Sequence, residues 1–318
     1  MHTEKTNKEQ PFSIQSWYKQ WLEAIRGSIE ETTFAQYQHC LTRYIFPSYG
    51  DVPLDSLNED SVQAFYNSLG RNGKNLSAQT VHLIKTVLHQ GLDYAVNNCV
   101  LAYNPSDLAY TAKRYYNRSE ILSSKIIRHI LHKDFHNTYE NMFPVLLLTT
   151  MRYGECAGLS WDAIDDKRKT LAVKQQLVEY QKNGHTVQSL KPYPKGQRRR
   201  EILLPDLVFQ YLLDQKTLQQ KFQTLSGAGW NNLSNLVFTN PDGSALRHYK
   251  VNRRFKKLVN FYGMPEATIH TLRHTGCSIL YNVTGDVSVV REYSGHSSDG
   301  AAVYYIHSLA SIKGDLQP

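Results

Sequence analysis

The amino-acid sequence predicts a mainly α fold with a small β-hairpin or sheet, split into an all-helical N-terminal domain and a larger α+β domain. Three observations point there. Apolar residues recur at spacings of three and four from Phe12 to Val96. A polar, basic stretch, Thr111–Ser119 (TAKRYYNRS), then interrupts the pattern behind Asn104-Pro105. Beyond it, helical periodicity alternates with two short β-favouring runs that flank an Asn-Gly dipeptide.

The predicted boundaries follow from this pattern. Residues 1–11 are polar and expected to be disordered. Residues 12–110 form the helical domain, 111–119 the linker and 120–318 the second domain. The first helix carries Ile14, Trp17, Tyr18, Trp21, Leu22 and Ile25 on one face. A second starts near Thr32 or Thr33, carries Phe34, Tyr37, Leu41, Tyr44 and Ile45, and is expected to stop at Pro47 and Gly50. Asn58 caps a third with Val62, Phe65, Tyr66 and Leu69 inward. Ser77 precedes a fourth whose apolar stripe runs through Val81, Ile84, Leu88, Leu92 and Val96.

In the second domain Ser123 caps a helix with Ile126, Ile127, Ile130 and Leu131 inward. The run Phe143–Leu148 reads as a buried helix leading to Arg152. Strands are predicted within 169–181 and 199–205, with Asn183-Gly184 as the turn between them. Helices resume over 206–225, 249–262, 270–283 and 287–293.

Composition limits the function classes. The chain has 318 residues, 41% hydrophobic content, 21 tyrosines and a formal net charge of +8. That charge favours a polyanionic partner such as nucleic acid. Four scattered cysteines, Cys40, Cys99, Cys156 and Cys277, form no C-x-x-C pair, so buried reduced thiols are expected rather than a disulfide framework or a metal site. The start, MHTEKTNKEQPF, has no apolar core of a signal peptide, and no apolar run is long enough to span a membrane. The expectation is a cytoplasmic, nucleoid-associated protein with no cofactor and no metal.

Several groups could carry chemistry. Arg152 lies in Thr149-Thr-Met-Arg-Tyr-Gly-Glu155, where Glu155 could hold its charge in place or merely form a helix-surface pair. Pro194-Lys195-Gly196-Gln-Arg198-Arg199-Arg200 is a basic stretch between the two strand candidates; it is either a solvated hairpin or a phosphate clamp. His270-Thr-Leu-Arg273-His274 sets His270 and Arg273 on one helical face. Ser294-Gly-His296-Ser-Ser and Val303-Tyr304-Tyr305-Ile-His307 follow. Arg247 to Lys257 places six cations in eleven residues with aromatics between them; Lys250, Arg253, Arg254 and Lys257 are the candidate DNA contacts there. Arginines and histidines can neutralise a phosphorane, and a tyrosine phenol can be the nucleophile.

Taken in order, these motifs resemble the tyrosine recombinase (phage integrase) family. Its first arginine box usually reads T-G-L-R-x-G-E followed by L-x-W-x-D-I-D, and Leu159-Ser-Trp161-Asp-Ala-Ile164-Asp165 matches the second part. Leu272-Arg273-His274-Thr275 is similar to the family's L-R-H-T signature, and Tyr305-Ile-His307 fits its tyrosine, one residue, histidine ending where Tyr304 does not. Thr150 stands where glycine is usual, Met151 where leucine is usual and Ser294 where leucine is usual.

The resemblance implies a core-binding helical domain plus an α+β catalytic domain that clamp DNA, with residues 12–110 as the former. It implies Tyr305 as nucleophile, Arg152, Arg273 and His296 as donors to the phosphate, His270 as base, Lys195 as acid on the leaving oxygen and Glu155 as a support. Arg198, Arg199 and Arg200 are carried as DNA contacts, Arg198 and Arg199 also as fallbacks for the acid, although arginine is a poor proton donor. The partners implied are double-stranded recombination sites, a homotetramer on DNA, and accessory DNA-bending or directionality factors. The expected activity is metal- and ATP-independent strand transfer by the integrase of a phage or mobile element. A Xer-type resolvase is the alternative, followed by a type IB topoisomerase or a non-catalytic DNA-binding protein. The eleven residues ahead of the first helix are too few for the extra arm-binding domain of many integrases.

Overall fold

A computed structural model of the chain describes residues 12–70, 73–109, 121–132, 137–194 and 199–295. The expectations for residues 1–11 and for the linker 111–119 lie outside them. The chain divides into two compact units. One holds residues up to Tyr116 with the hairpin tip Tyr180–Val187, and the other holds the remainder.

The N-terminal helices are α1 (Ile14–Ala24), α2 (Glu31–Cys40), α3 (Phe46–Tyr49), α4 (Glu59–Leu69) and α5 (Ala78–Asn97). Side chains cap three of them: Ser13 on α1, Asn58 with Ser61 in a reciprocal box on α4, and Ser77 on α5. The expected stripes pack into one core, including Ile14, Trp17, Tyr18, Leu69, Ile84 and Leu92. Val96 is only half-buried, and Ala95 takes the inward place instead. The Trp17 indole N–H donates to the Gly91 carbonyl at 2.9 Å, and the Tyr18 hydroxyl donates to the Leu88 carbonyl.

Pro47 does not end the second helix. Residues Leu41–Ile45 form a π turn, and α3 continues from it with Pro47 in its first turn. A first-turn residue needs no amide hydrogen, so the wider turn absorbs the proline, and the chain leaves the helix only at Gly50. After α5, Asn104 fastens the Pro105 turn by donating to the Asp93 carboxylate at 2.6 Å, while His89 meets Asp93 at 3.1 Å and Ser106 at 2.9 Å.

The second unit contains α6 (Ser124–His132), α7 (Thr138–Thr149) and α8 (Tyr153–Ala157). Five strands follow in the chain, the Tyr180–Val187 tip counting with the first unit: β1 (Ile164–Asp165), β2 (Thr170–Val173), β3 (Gln176–Lys182), β4 (His185–Lys191) and β5 (Arg200–Leu203). The last described helices are α9 (Asp206–Ser226), α10 (His248–Phe261), α11 (Ile269–Thr284) and α12 (Val287–Ser294). The run Phe143–Leu148 lies in α7, which begins earlier at an Asn137 cap and carries Pro144 internally.

The strand pairing departs from the expectation. Asn183-Gly184, both left-handed, do form a turn, but it joins β3 to β4, a strand not expected from the sequence. The second predicted strand instead pairs antiparallel with β2, Leu171 opposite Ile202, in a sheet of order β1-β2-β5. β4 (HTVQSLK) is half-buried over most of its length, so its sequence shows little alternation of apolar with polar residues.

The core of this unit gathers Phe143, Leu147, Ile202, Phe238, Phe255 and Leu272, among others. α7 and α11 approach closely at Gly276: a Cβ there would be driven into the Leu147 carbonyl oxygen, so only glycine fits. α9 buries two glutamines. Gln215 and Gln219 hydrogen-bond the Val237 and Leu236 carbonyls, Asn141 and the Trp161 indole, which satisfies backbone groups the irregular segment after α9 leaves open. Cys40, Cys156 and Cys277 are free and buried as expected, whereas Cys99 is exposed. No helix among the described residues is long and apolar enough to cross a membrane.

Candidate active site

The end of α7 and the start of α8 set the first arginine. Thr150 caps α7 in the left-handed conformation, φ 53° and ψ 20°, where a β-branched residue is strained. This is the position where glycine is usual in the resembled motif, and the geometry explains why. The reversal turns the chain so that Arg152 becomes the N-cap of α8.

Glu155 then reaches back. Its carboxylate accepts the Arg152 amide hydrogen at 2.9 Å and the Arg152 guanidinium at 2.9 Å. The pair is not the exposed i,i+3 pair that the spacing alone allowed. The Glu155 side chain is 0% exposed, and a second cation completes it: Arg200 donates to the two Glu155 oxygens at 2.8 and 3.2 Å. Burial alone would raise the carboxyl pKa. The hydrogen bonds and charge of Arg200, and then those of Arg152, more than offset this and hold it below the ordinary carboxylate range.

Arg200, carried from the sequence as a DNA contact, is instead largely buried in this network. Its side chain is 8% exposed, and its Nε donates to the Tyr293 carbonyl at 2.9 Å. Arg152 keeps 25% of its side chain exposed, and its other Nη donates to the Gly295 carbonyl at 3.2 Å. The two arginines thus grip the end of α12 just before His296.

α11 supplies the second arginine and two histidines. Thr268 and Thr271 cap its start reciprocally. His270, Arg273 and His274 follow at i, i+3 and i+4. Arg273 is buried and donates to the Thr150 carbonyl at 2.5 Å, so the strained turn after α7 also orients it. The His270 and His274 rings meet edge to face at 4.6 Å. Desolvation, then the charges of Arg273 and Arg152, push the His270 pKa down to about 4. His270 keeps an open side to solvent, which weakens the desolvation but not its direction, and the imidazole is neutral near pH 7. Burial, then His270 and Arg273, push His274 down to about 3.

Arg152, Glu155, His270 and Arg273 thus gather at the junction of α7, α8 and α11. Lys195, Arg198, His296, Tyr304 and Tyr305 lie outside the described residues. Arg199 is exposed, with a weak hydrogen bond to the Pro192 carbonyl at 3.3 Å. Ser294 is buried, and its hydroxyl donates to the Val290 carbonyl one turn back at 2.5 Å, which satisfies a polar group where leucine is usual.

α10 is amphipathic. Val251, Phe255 and Val259 face the core. Lys250, Arg253, Arg254 and Lys257 share the face defined by i, i+3, i+4 and i+7, and Arg253 and Arg254 are exposed on it. No carboxylate pairs with Arg253, Arg254 or Lys257 among the described residues. Such a face suits contacts to a phosphate backbone.

The roles of Arg200, Tyr293 and the Gly295 carbonyl were not visible in the sequence. The signal that could have found Arg200 is weak: an arginine at the start of a strand whose next inward residue, Ile202, is core.

Comparison with known proteins bears on the family and the fold. Residues 121–311 match the profile of the phage integrase family, and residues 13–70 match the phage integrase N-terminal SAM-like domain. A "Tyrosine recombinase XerC-like" protein of Caldanaerobacter subterraneus subsp. tengcongensis is 26% identical, covering 92% of this chain and 78% of its own length. An "Integrase" of Saccharopolyspora erythraea is 22% identical over 97% of this chain and 82% of its own. The Tn1549 transposon integrase in complex with transposon right end DNA superposes with a TM-score of 0.74 at 18% identity, covering 96% of this chain and all of that one. A lambda integrase tetramer bound to a Holliday junction superposes at 0.65 with 19% identity, covering 96% and 81%.

Proposed function

Because the chain belongs to the phage integrase family, we propose that it is a site-specific DNA recombinase that cuts and rejoins strands through a 3′-phosphotyrosine at Tyr305. The observation that carries this reading is the cluster of Arg152, held by Glu155, with Arg273 and neutral His270 beside it. Two fixed guanidinium groups are suited to the non-bridging oxygens of a phosphodiester, with His296 as a third donor.

In the proposed step the Tyr305 phenol oxygen attacks the scissile phosphorus. Its proton passes to His270, since exposing a free phenolate at pH 7 costs about 4 kcal/mol. The bond from phosphorus to the 5′ oxygen breaks, and Lys195 protonates that oxygen. A bound phosphate offsets the field of the two arginines and so raises the basicity of His270 as the substrate seats. The 5′-hydroxyl of the partner strand then attacks the phosphotyrosine and releases Tyr305. The phosphodiester energy stays in the protein–DNA bond, so the step requires neither ATP nor a divalent metal.

The DNA partner is a duplex carrying the recombination site. The assembly is a homotetramer on two such sites, like the lambda integrase tetramer on its Holliday junction. The cations of α10 are the proposed backbone contacts, with Arg199 a further one. We read the chain as the integrase of a phage or mobile element, with chromosome or plasmid resolution as the alternative.

The test is a nicked duplex whose cleavage releases a short oligonucleotide and traps the covalent complex, run in EDTA. The expected result is an adduct with the unsubstituted protein, none with Tyr305→Phe, and an adduct with Tyr304→Phe. An adduct that persists in Tyr305→Phe and vanishes in Tyr304→Phe would mean the neighbouring tyrosine is the nucleophile; a strict magnesium requirement for cleavage would end the metal-free mechanism.

A further inference from the structure

We propose that Arg200 is a positioning residue of the cleavage site: it is the counter-charge of Glu155, leaving the charge of Arg152 to act on the scissile phosphate, and it does not contact DNA. The proposal rests on the recombinase reading above. Arg200 opens β5, far in sequence from the Arg152 turn, yet its guanidinium spans both Glu155 oxygens at 2.8 and 3.2 Å.

Charge balance links this pairing to rate. Glu155 carries one negative charge, and Arg152 and Arg200 carry one positive charge each, so the three together remain singly positive. Without Arg200 the buried carboxylate would be left to Arg152 alone, and that pair would be neutral. A neutral pair offers little to a phosphorane that gains negative charge as the nucleophile attacks. Burial separates the two roles: Arg200 is 8% exposed and Arg152 25%, so only Arg152 has an open side.

Arg200 also acts on the backbone. Its Nε holds the Tyr293 carbonyl at 2.9 Å while Arg152 holds the Gly295 carbonyl at 3.2 Å. The two hydrogen bonds bracket Ser294 and fix the end of α12. One guanidinium thereby ties β5, α8 and α12 to the same carboxylate network.

The experiment uses the full chain and the nicked duplex. Half-site Kd, melting temperature and the single-turnover rate of adduct formation at saturating DNA are measured for Arg200→Gln and Arg200→Lys. The expected result is a Kd within a few-fold of the unsubstituted protein. The rate should fall at least about tenfold in Arg200→Gln, on the way to the roughly hundredfold that misplacing a reacting group can cost. Arg200→Lys, which keeps the charge, should recover part of it.

Two further measurements separate positioning from loss of structure. On a duplex whose scissile phosphate carries a methyl group in place of one non-bridging oxygen, the phosphate is uncharged and the rate gap should narrow. In a Glu155→Gln background, where there is no carboxylate to balance, Arg200→Gln should cost much less. Should Arg200→Gln alone prove too unstable to assay, Arg200→Lys and the uncharged Glu155→Gln/Arg200→Gln pair carry the test. A raised Kd with an unchanged saturating rate would overturn the proposal in favour of a DNA contact. An equal rate gap on charged and uncharged phosphates would reduce Arg200 to a structural residue. Absence of any adduct with the unsubstituted protein is a separate outcome, since it removes the recombinase reading itself.

Discussion

The exposed face of α10 and the buried cluster around Glu155 are both built from basic residues, and they treat charge in opposite ways. On α10, Arg253, Arg254 and Lys257 stand without carboxylate partners among the described residues, above an apolar stripe of Val251, Phe255 and Val259. Around Glu155, Arg152 and Arg200 are held by hydrogen bonds to one buried carboxylate and to backbone carbonyls, and Arg273 is anchored on Thr150. Solvated cations neutralise a polyanion at any register and contribute affinity that salt weakens. Desolvated, oriented cations cannot follow the DNA, but they are already in place when charge develops on a phosphate. Burial and fixed geometry, more than residue type, thus divide affinity from rate.

The largest expected effect is at the fixed cations. Arg152→Ala and Arg273→Ala should each slow adduct formation by at least about a hundredfold, the scale for losing one preorganised donor. Arg273→Ala should also destabilise the second unit, because it leaves the Thr150 carbonyl without its donor. Cleavage within tenfold of the unsubstituted protein in both variants would dissolve the distinction between the two regions.

A triple Arg253→Gln/Arg254→Gln/Lys257→Gln variant should bind a half-site about tenfold or more weakly at moderate salt. Its log–log salt slope should be shallower by about one for each phosphate no longer neutralised. Its cleavage rate at saturating DNA should be unchanged. Salt titration of half-site binding checks this, and an unaltered slope would remove α10 from the DNA interface.

The legible and illegible parts of the chain divide along similar lines. The stripes of α1, α4 and α5, the Asn58 and Ser77 caps, and the basic face of α10 could be read directly, because each depends on residues within a turn or two of one another. Arg152, Glu155, His270 and Arg273 were singled out by motif. What motif and periodicity could not convey is partnership across sequence. Arg200 reads as one of three consecutive basic residues, and only the pairing of β5 with β2 brings it to Glu155. β4 was missed because a half-buried strand shows no alternation, and Pro47 was misread because a π turn has no sequence signature of its own.

A smaller effect concerns pH. Both α11 imidazoles prefer the neutral form in the folded protein, with His270 lowered to about 4 and His274 to about 3. Below the ordinary histidine value of 6.5 the unfolded chain therefore binds more protons than the folded one, and stability falls as pH drops from 6.5 toward 4. Glu155, with its depressed pKa, adds its own loss as pH falls below its ordinary value of 4.5. Melting temperatures across this range should decline less in a His270→Gln/His274→Gln variant. An equally steep decline would place the acid sensitivity elsewhere.

The smallest expected effect is at Thr150. Relief of left-handed strain in Thr150→Gly, about 1–2 kcal/mol, is partly offset by the greater backbone freedom of glycine in the unfolded chain, about 0.5–1 kcal/mol. A net gain of about 1 kcal/mol or less should appear in denaturant melts. A clear loss of stability would show that the threonine side chain contributes more than its backbone costs.

The most direct test of the division between rate and affinity is to measure both quantities on one substrate for one variant from each region. Arg152→Ala and the α10 triple variant would be titrated on the same nicked half-site, and adduct formation followed in a single turnover at saturating protein. Arg152→Ala is predicted to lose rate with a nearly unchanged Kd, and the α10 variant to lose affinity with an unchanged rate. Parallel losses of rate and affinity in both variants would contradict that division.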